Sequence, residues 1–322
     1  MKANSLSDEI VVLSGRSNRE FALAVCKDLN LRLGGLNVVR FSDGEIYVEI
    51  EENVRGRDVF LIQSTSNPCN DYLMELLITL DALKRASAGR VTAVMPYFGY
   101  ARQDRKTKPR VPITAKLVAD LLTTAGASRV LTLELHAGQM MGFFDIPVDN
   151  LNALPVVIPE IEKSYKDRNL TVVSPDAGGV ERARNFARKL NDAPIAIIDK
   201  RRPLANQVAE MRVVGDVRER TCILVDDIVD TGGTISKAAQ TLVDEGAKEV
   251  VAFCTHGVLS GEAAKVIAGS KLTELIITNS IALSDVLRKT IGIKLRELSV
   301  ARLFSEAIRR IHSEDSISTL FT

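Results

Sequence analysis

The 322 residues exceed the length at which one hydrophobic core usually stays single, so two domains are expected. With 46% hydrophobic and 26% charged residues, and Lys plus Arg at 42 against Asp plus Glu at 41, the net charge of +1 excludes a global pull toward nucleic acid or membrane; any basic site must be local. Four scattered cysteines without a CxxC pair, and three histidines, argue against a disulfide framework and a His-rich metal site. Buried free thiols in a reducing cytoplasm are the expectation. The opening "MKANSLSDEI" has no apolar core of signal-peptide length, and no apolar run is long enough to span a bilayer.

Short β-branched runs alternate with helical patterns along the chain. "EIVVLSG" (9–15) predicts a strand and "SNREFALAVCKDLN" (17–30) a helix. "DVFLIQS" (58–64), "RVTAVMP" (90–96) and "RVLTLEL" (129–135) predict strands, separated by helical stretches at 70–86 and 114–126. The second half repeats the rhythm. Strands are predicted at 169–175, 194–199, 221–227 and 248–256, with helices at 178–190 and 234–246. Such alternation predicts parallel sheets covered by helices. The segment from "VFLIQS" to "AVMP" and the segment from "CILVDD" to "FCTH" share the order strand, loop, helix, small-residue turn, strand. Two similar domains are therefore expected, 1–150 and 151–322. The C-terminal "LFSEAIRRIHSEDSISTLF" reads as an amphipathic helix and an apolar tail, and the last ~15 residues could pack back on the first domain.

The strand ends carry unusual residues. In "VVRFSDGEIYVEI" (38–50), Phe41, Asp43, Gly44 and Glu45 form a turn between two strands; a plain β-turn is the simpler reading, a base-holding turn the functional one. In "PYFGYARQDRKTKPRVPIT" (96–114), five of the nine residues from Arg102 to Arg110 are basic. Pro96 and Pro109 forbid a continuous helix, so a positive lid over a polyphosphate competes with a solvated loop. His136 lies just past a strand end, where open α/β sheets place ligands. Asp176 precedes Gly178 and Gly179 and a helix carrying Arg182 and Arg184; it reads either as a helix cap or as a magnesium carboxylate beside a phosphate turn. "AIIDKRRP" (196–203) ends a strand with Lys200, Arg201 and Arg202, a poor choice unless anions arrive.

"CILVDDIVDTGGT" (222–234) is the densest stretch. Glycines at a helix N-terminus offer bare amides and a partial positive charge to an anion. Asp230, Thr231, Gly232, Gly233 and Thr234 form that cradle, and Asp226 and Asp227 above it can accept from two hydroxyls. A phosphorylated sugar would meet both demands.

This last element resembles the ribose-phosphate loop of the phosphoribosyltransferase fold. Taken with "FSDGE", "YFGYARQDRK", "VPITAKL", "LHAGQMMGFFDIPVDNL", "VVSPDAGG" and "AIIDKRRP", nearly the whole chain resembles the bacterial ribose-phosphate pyrophosphokinase (PRPP synthetase) family. The resemblance implies an α/β protein of two phosphoribosyltransferase-like domains, each a mainly parallel sheet covered by helices. It implies transfer of the diphosphoryl group of Mg-ATP to ribose 5-phosphate, giving PRPP and AMP. It also implies site roles. Phe41, Asp43, Gly44 and Glu45 would hold adenosine. Arg102 and Gln103 would touch ATP from a neighbouring subunit. His136 and Asp176 would bind Mg²⁺. Lys200 and Arg202 would stabilise the transition state, with Arg202 also near the sugar phosphate. Asp226, Asp227 and the loop Asp230–Thr234 would bind ribose 5-phosphate. A hexamer with phosphate as activator follows from the same resemblance, with no nucleic-acid or membrane partner. Two rivals remain: a phosphoribosyltransferase that consumes PRPP, and a non-catalytic regulatory subunit on the same fold.

Overall fold

The computed structural model describes residues 9–201 and 210–320. They form two compact units. The first holds the described residues up to Asn152, with Ser280–Ala282 and the segment from Val300; the second holds Ala153–Asn279 and Leu283–Ser299.

The first unit runs β1 (Ile10–Ser14), α1 (Arg19–Leu29), β2 (Leu36–Arg40), β3 (Ile46–Ile50), β4 (Asp58–Ile62), α2 (Cys69–Arg85), β5 (Arg90–Met95), α3 (Thr114–Ala125), β6 (Arg129–Leu133) and β7 (Val148–Leu151). Five strands form a wholly parallel sheet in the order β1-β4-β5-β6-β7, and β2 and β3 pair separately as an antiparallel hairpin. The continuous apolar runs of β1, β4 and β5 are buried on both faces, as helix-covered parallel strands must be. Local signals start and stop the helices. The Asn18 side chain accepts from the Phe21 N–H at 3.3 Å to cap α1, and Asn30 ends it in the left-handed region at φ 57°.

The second unit runs α4 (Leu154–Tyr165), β8 (Leu170–Ser174), α5 (Val180–Lys189), β9 (Ile195–Arg201), β10 (Glu210–Val214), β11 (Thr221–Val229), α6 (Gly233–Asp244), β12 (Glu249–Gly257), α7 (Ala263–Ala268), β13 (Glu274–Thr278), α8 (Asp285–Ile291) and β14 (Leu295–Leu298). Its sheet has the order β10-β9-β8-β11-β12-β13-β14, and only the β10–β9 pair is antiparallel. The five strands β8-β11-β12-β13-β14 reproduce the order of the first sheet. The second hairpin, β9–β10, joins its sheet where the first, β2–β3, stands apart.

The chain then returns to the first unit with α9 (Ala301–His312). Phe304 of α9 meets Phe21 of α1 edge-to-face at 5.3 Å, both rings fully buried, a pair worth about 1 kcal/mol beyond its buried area. The end of α9 is also tied down. His312 Nδ1 lies 2.9 Å from Asp58 Oδ2, and the carbonyl of Ile311 accepts from Arg90 at 3.0 Å.

Several elements differ from the sequence expectation. β11 continues past Asp227 to Val229, so the acid pair stands before the strand's end, and β9 continues past Asp199 to Arg201, which takes Lys200 into the strand. The helix α4 had no counterpart in the sequence reading because it contains Pro155 and Pro159. Pro155 falls in its first turn, where the missing N–H is harmless.

Candidate active site

Strand lengths build the rim of the second unit. β11 pairs with β8 only over Thr221–Leu224, but with β12 through Val229↔Gly257. Asp226 and Asp227 therefore stand on the part of β11 that overhangs β8. Asp227 is 3% exposed, whereas Asp226 is half-buried. Arg182, in the first turn of α5, spans them: its Nη1 donates to Asp226 Oδ1 at 3.1 Å, and its Nη2 lies 3.2 Å from Asp227 Oδ1. The Asp227 N–H also donates to Asp226 Oδ1 at 3.0 Å. Burial first, then the neighbouring charge of Asp227, pushes the Asp226 carboxyl up to about 7; Arg182 opposes the shift. The sequence places Arg182 on the helix and offers it no role. Its signal was an arginine where the helix dipole disfavours a cation.

Beyond the acids, Gly232 takes φ 76° and precedes α6. That conformation favours glycine, and a Cβ there would lie 3.1 Å from Ile267 Cγ1. α6 has no side-chain cap, so its first-turn amides face outward from Gly233 and Thr234. The helix begins at Gly233 and not at Thr234, which brings one more glycine amide into the cradle. Asp230 is held from outside the loop: Ser260 donates its hydroxyl to Asp230 Oδ1 and its N–H to the Asp230 carbonyl at 3.1 Å. Thr231 and Thr234 are exposed. Ser260 is a second residue that sequence reasoning missed, because its partner lies thirty positions away.

Asp176 follows β8 and is exposed. Its Oδ1 accepts from the Gly179 N–H at 3.0 Å, and its carbonyl accepts from Ser174 Oγ at 2.6 Å. The loop-capping role and an open carboxylate coexist, since one oxygen organises the turn. A hard oxygen at a glycine turn suits Mg²⁺, which takes one or two carboxylates and completes its shell from water and phosphate. Among the described residues no three acids, histidines or cysteines cluster as a full metal cage. Lys200 lies in β9 opposite Met211, and Arg202 falls outside the described residues.

In the first unit, Phe41, Asp43, Gly44 and Glu45 turn the β2–β3 hairpin. The Phe41 N–H donates to the Glu45 carbonyl at 2.8 Å, Asp43 Oδ1 accepts from the Glu45 N–H at 3.1 Å, and Gly44 takes φ 97°. Phe41 is 52% exposed with the Tyr47 ring 5.8 Å away, so an aromatic face stands open beside two carboxylates. The basic loop is anchored at its root, where Tyr97, Phe98 and Ala101 are buried, and exposed from Arg102 to Gln103 and Arg105 to Arg110. Gln103 is engaged locally: its Oε1 accepts from Thr114 Oγ1 at 2.6 Å and its carbonyl from the Ala115 N–H at 3.2 Å, bracing the start of α3. His136, exposed, follows β6 by three residues.

The thiols play no part in this chemistry. Cys26, Cys222 and Cys254 are buried and Cys69 half-buried. Burial pushes Cys26 up to about 11 and Cys222 up to about 12, which keeps them protonated and inert.

Comparison with known proteins agrees over nearly the whole chain. Residues 10–126 match the family model described as the N-terminal domain of ribose phosphate pyrophosphokinase, and residues 198–322 match that of the phosphoribosyl synthetase-associated domain. The ribose-phosphate pyrophosphokinase of Brucella melitensis is 56% identical over 96% of this chain and 99% of its own length. That of Haemophilus influenzae is 55% identical over 97% and 99%. The crystal structure of phosphoribosylpyrophosphate synthetase from Mycobacterium smegmatis superposes with a TM-score of 0.91 at 43% identity, covering 95% of this chain and 99% of that one. An acid pair on an overhanging strand, an uncapped glycine turn and full-length relatedness converge: the chain belongs to the ribose-phosphate pyrophosphokinase family.

Proposed function

We propose that the chain forms PRPP by moving the diphosphoryl group of Mg-ATP to the C1 hydroxyl of ribose 5-phosphate, releasing AMP. The observation that carries this reading is the Arg182-braced pair Asp226 and Asp227 beside the uncapped turn at Gly232–Thr234. A sugar phosphate needs acceptors for hydroxyls and amides for its phosphate, and this rim offers both. Asp226 and Asp227 take the ribose hydroxyls, and Asp230, Thr231, Gly232, Gly233 and Thr234 take the 5-phosphate. Phe41, Asp43, Gly44 and Glu45 hold adenosine, aided by Arg102 and Gln103 of a neighbouring subunit. His136 and Asp176 hold Mg²⁺, which supplies charge neutralisation on the phosphates when bound.

In the reaction the C1 oxygen attacks the β-phosphorus, the bond from that phosphorus to the oxygen it shares with the α-phosphorus breaks, AMP leaves with that oxygen, and the hydroxyl proton leaves to water. Lys200 and Arg202 offset charge that grows on the transferring group. The working protein is a cytoplasmic homo-hexamer activated by phosphate, with domains 1–150 and 151–322 and the tail packed on the first. Support for the last point is the α9–α1 seam.

The test is direct. Purified chain with Mg-ATP and ribose 5-phosphate should yield AMP and PRPP in equal amounts. Absence of AMP defeats the reading and favours a regulatory subunit, and pyrophosphate release from PRPP in the presence of a base favours a phosphoribosyltransferase. Lys200→Ala should lower kcat by about 10³-fold with little change in the sugar KM, whereas Asp227→Ala should raise that KM. Exchanged effects would refute the assignment of roles.

A further inference from the structure

The first turn of α5 carries an arginine, the charge that a helix N-terminus repels. The side chain leaves its own helix and crosses to β11. There it meets two carboxylates at nearly equal distances, 3.1 Å to Asp226 and 3.2 Å to Asp227, through separate nitrogens of one planar fork. The turn behind it is tightly packed: a Cβ on Gly179 would lie 2.8 Å from Ser174 Oγ and 3.8 Å from Arg182 Nη1. We propose that Arg182 is a positioning residue for ribose 5-phosphate, which fixes the spacing of Asp226 and Asp227 so that the pair can accept from two hydroxyls of one ring. The inference rests on the reading that these two acids take the sugar hydroxyls.

Two physical arguments support it. Side-chain exposure is 5% for Asp227, and a carboxylate so buried requires a cation or several donors. A lysine in place of the fork could balance the charge but could not span two carboxylates in fixed geometry. The pair also repels itself. Burial and mutual charge already raise the Asp226 carboxyl to about 7, and Arg182 is the cation that holds it down. Among the described residues, the groups coupled to the pair include Arg182 from α5 and the buried Cys254 thiol from β12, whose ionisation burial pushes far up. Without Arg182 the pair would keep a shared proton to higher pH and lose an acceptor.

The experiment is steady-state kinetics of the intact enzyme against pH. Arg182→Gln should raise the ribose 5-phosphate KM by about 30-fold or more while the ATP KM stays within about twofold. The acidic limb of kcat/KM for the sugar should move up by about one pH unit in Arg182→Gln and stay in place in Arg182→Lys, whose sugar KM should fall between the two. Adding Asp226→Asn to Arg182→Gln should raise the KM no further than the worse single variant, because both act through one pair. A wild-type sugar KM and an unmoved limb in Arg182→Gln would overturn the proposal. If Arg182→Gln shows no cooperative thermal transition, Arg182→Lys decides: a lowered kcat with unchanged sugar KM means a structural role only and overturns it. Asp227→Asn separates the two levels. A normal sugar KM there defeats the underlying reading, whereas a raised one beside a normal Arg182→Gln defeats the positioning role alone.

Discussion

At the carboxyl ends of β1 and β4, the first unit closes its sheet rim with its own side chains. Glu75 of α2, 1% exposed, accepts from the Arg16 N–H at 2.7 Å, from Arg16 Nε at 2.8 Å and from Gln63 at 3.1 Å. Gln63 accepts in turn from the Ser17 hydroxyl at 2.8 Å, and Ser64 donates to the Ser280 carbonyl at 2.6 Å. At the carboxyl ends of β8 and β11, the same place in the same strand order, the second unit holds an acid pair, an arginine and unpaired amides. One rim satisfies itself; the other is left to be satisfied by something else. A repeated topology can thus be spent on rigidity at one pair of strand ends and on binding at the equivalent pair, and the difference lies in a few side chains and the glycines of one turn.

The largest expected effect tests the closed rim. Glu75→Ala strands three donors in a buried site, and stability should fall by about 3 kcal/mol in urea unfolding. A loss under ~1 kcal/mol would mean that the network is not what seals this rim. The open rim should respond in the opposite direction. The folded-state value of Asp226, about 7, lies above the unfolded carboxylate value, so the folded state binds the proton more tightly. Asp226 therefore lowers stability as pH rises through this window, with the full penalty above pH 7. Asp226→Asn should raise the stability of the ligand-free protein by about 1–2 kcal/mol at pH 8 and leave it nearly unchanged at about pH 3, where the Asp226 carboxyl is largely neutral in both the folded and the unfolded chain. Thermal melts at the two pH values check the sign. Equal gains at both would contradict the electrostatic origin. The smallest effect concerns the brace outside the loop: Ser260→Ala removes a donor from Asp230 and should cost about 1 kcal/mol, with the sugar KM raised about fivefold. A larger change in kcat than in KM would show that Asp230 serves the chemical step instead.

Elements with local signals were legible in the chain. Short β-branched runs located most strands, and the helical stretches expected at 17–30, 114–126 and 234–246 fall close to Arg19–Leu29, Thr114–Ala125 and Gly233–Asp244. The site loops were legible because clustered acids and consecutive cations are costly without a ligand, and the Asp-Gly turn at 43–44 was read as a hairpin. What was not legible is pairing across distance. Nothing local tells that Arg182 faces Asp226 and Asp227, that Ser260 braces Asp230, or that β11 outruns β8. Short strands such as Val148–Leu151 and Leu295–Leu298 carry too few residues for a period, and two prolines disguised α4. The family resemblance supplied roles that the residues alone left open, and for Arg182 it supplied none.

The seam between α1 and α9 has a consequence for synthesis. The first unit draws its last helix from residues that follow the entire second unit, so the second is, in chain terms, an insertion within the first. A ribosome that has delivered β1 to β7 has delivered a sheet whose α1 still lacks the partner ring of Phe21. The Phe21 ring meets Phe304 only after the second unit has been made. The second unit can acquire its native packing during elongation, and the first must wait, with its apolar helix exposed to chaperones and to other nascent copies in the interval.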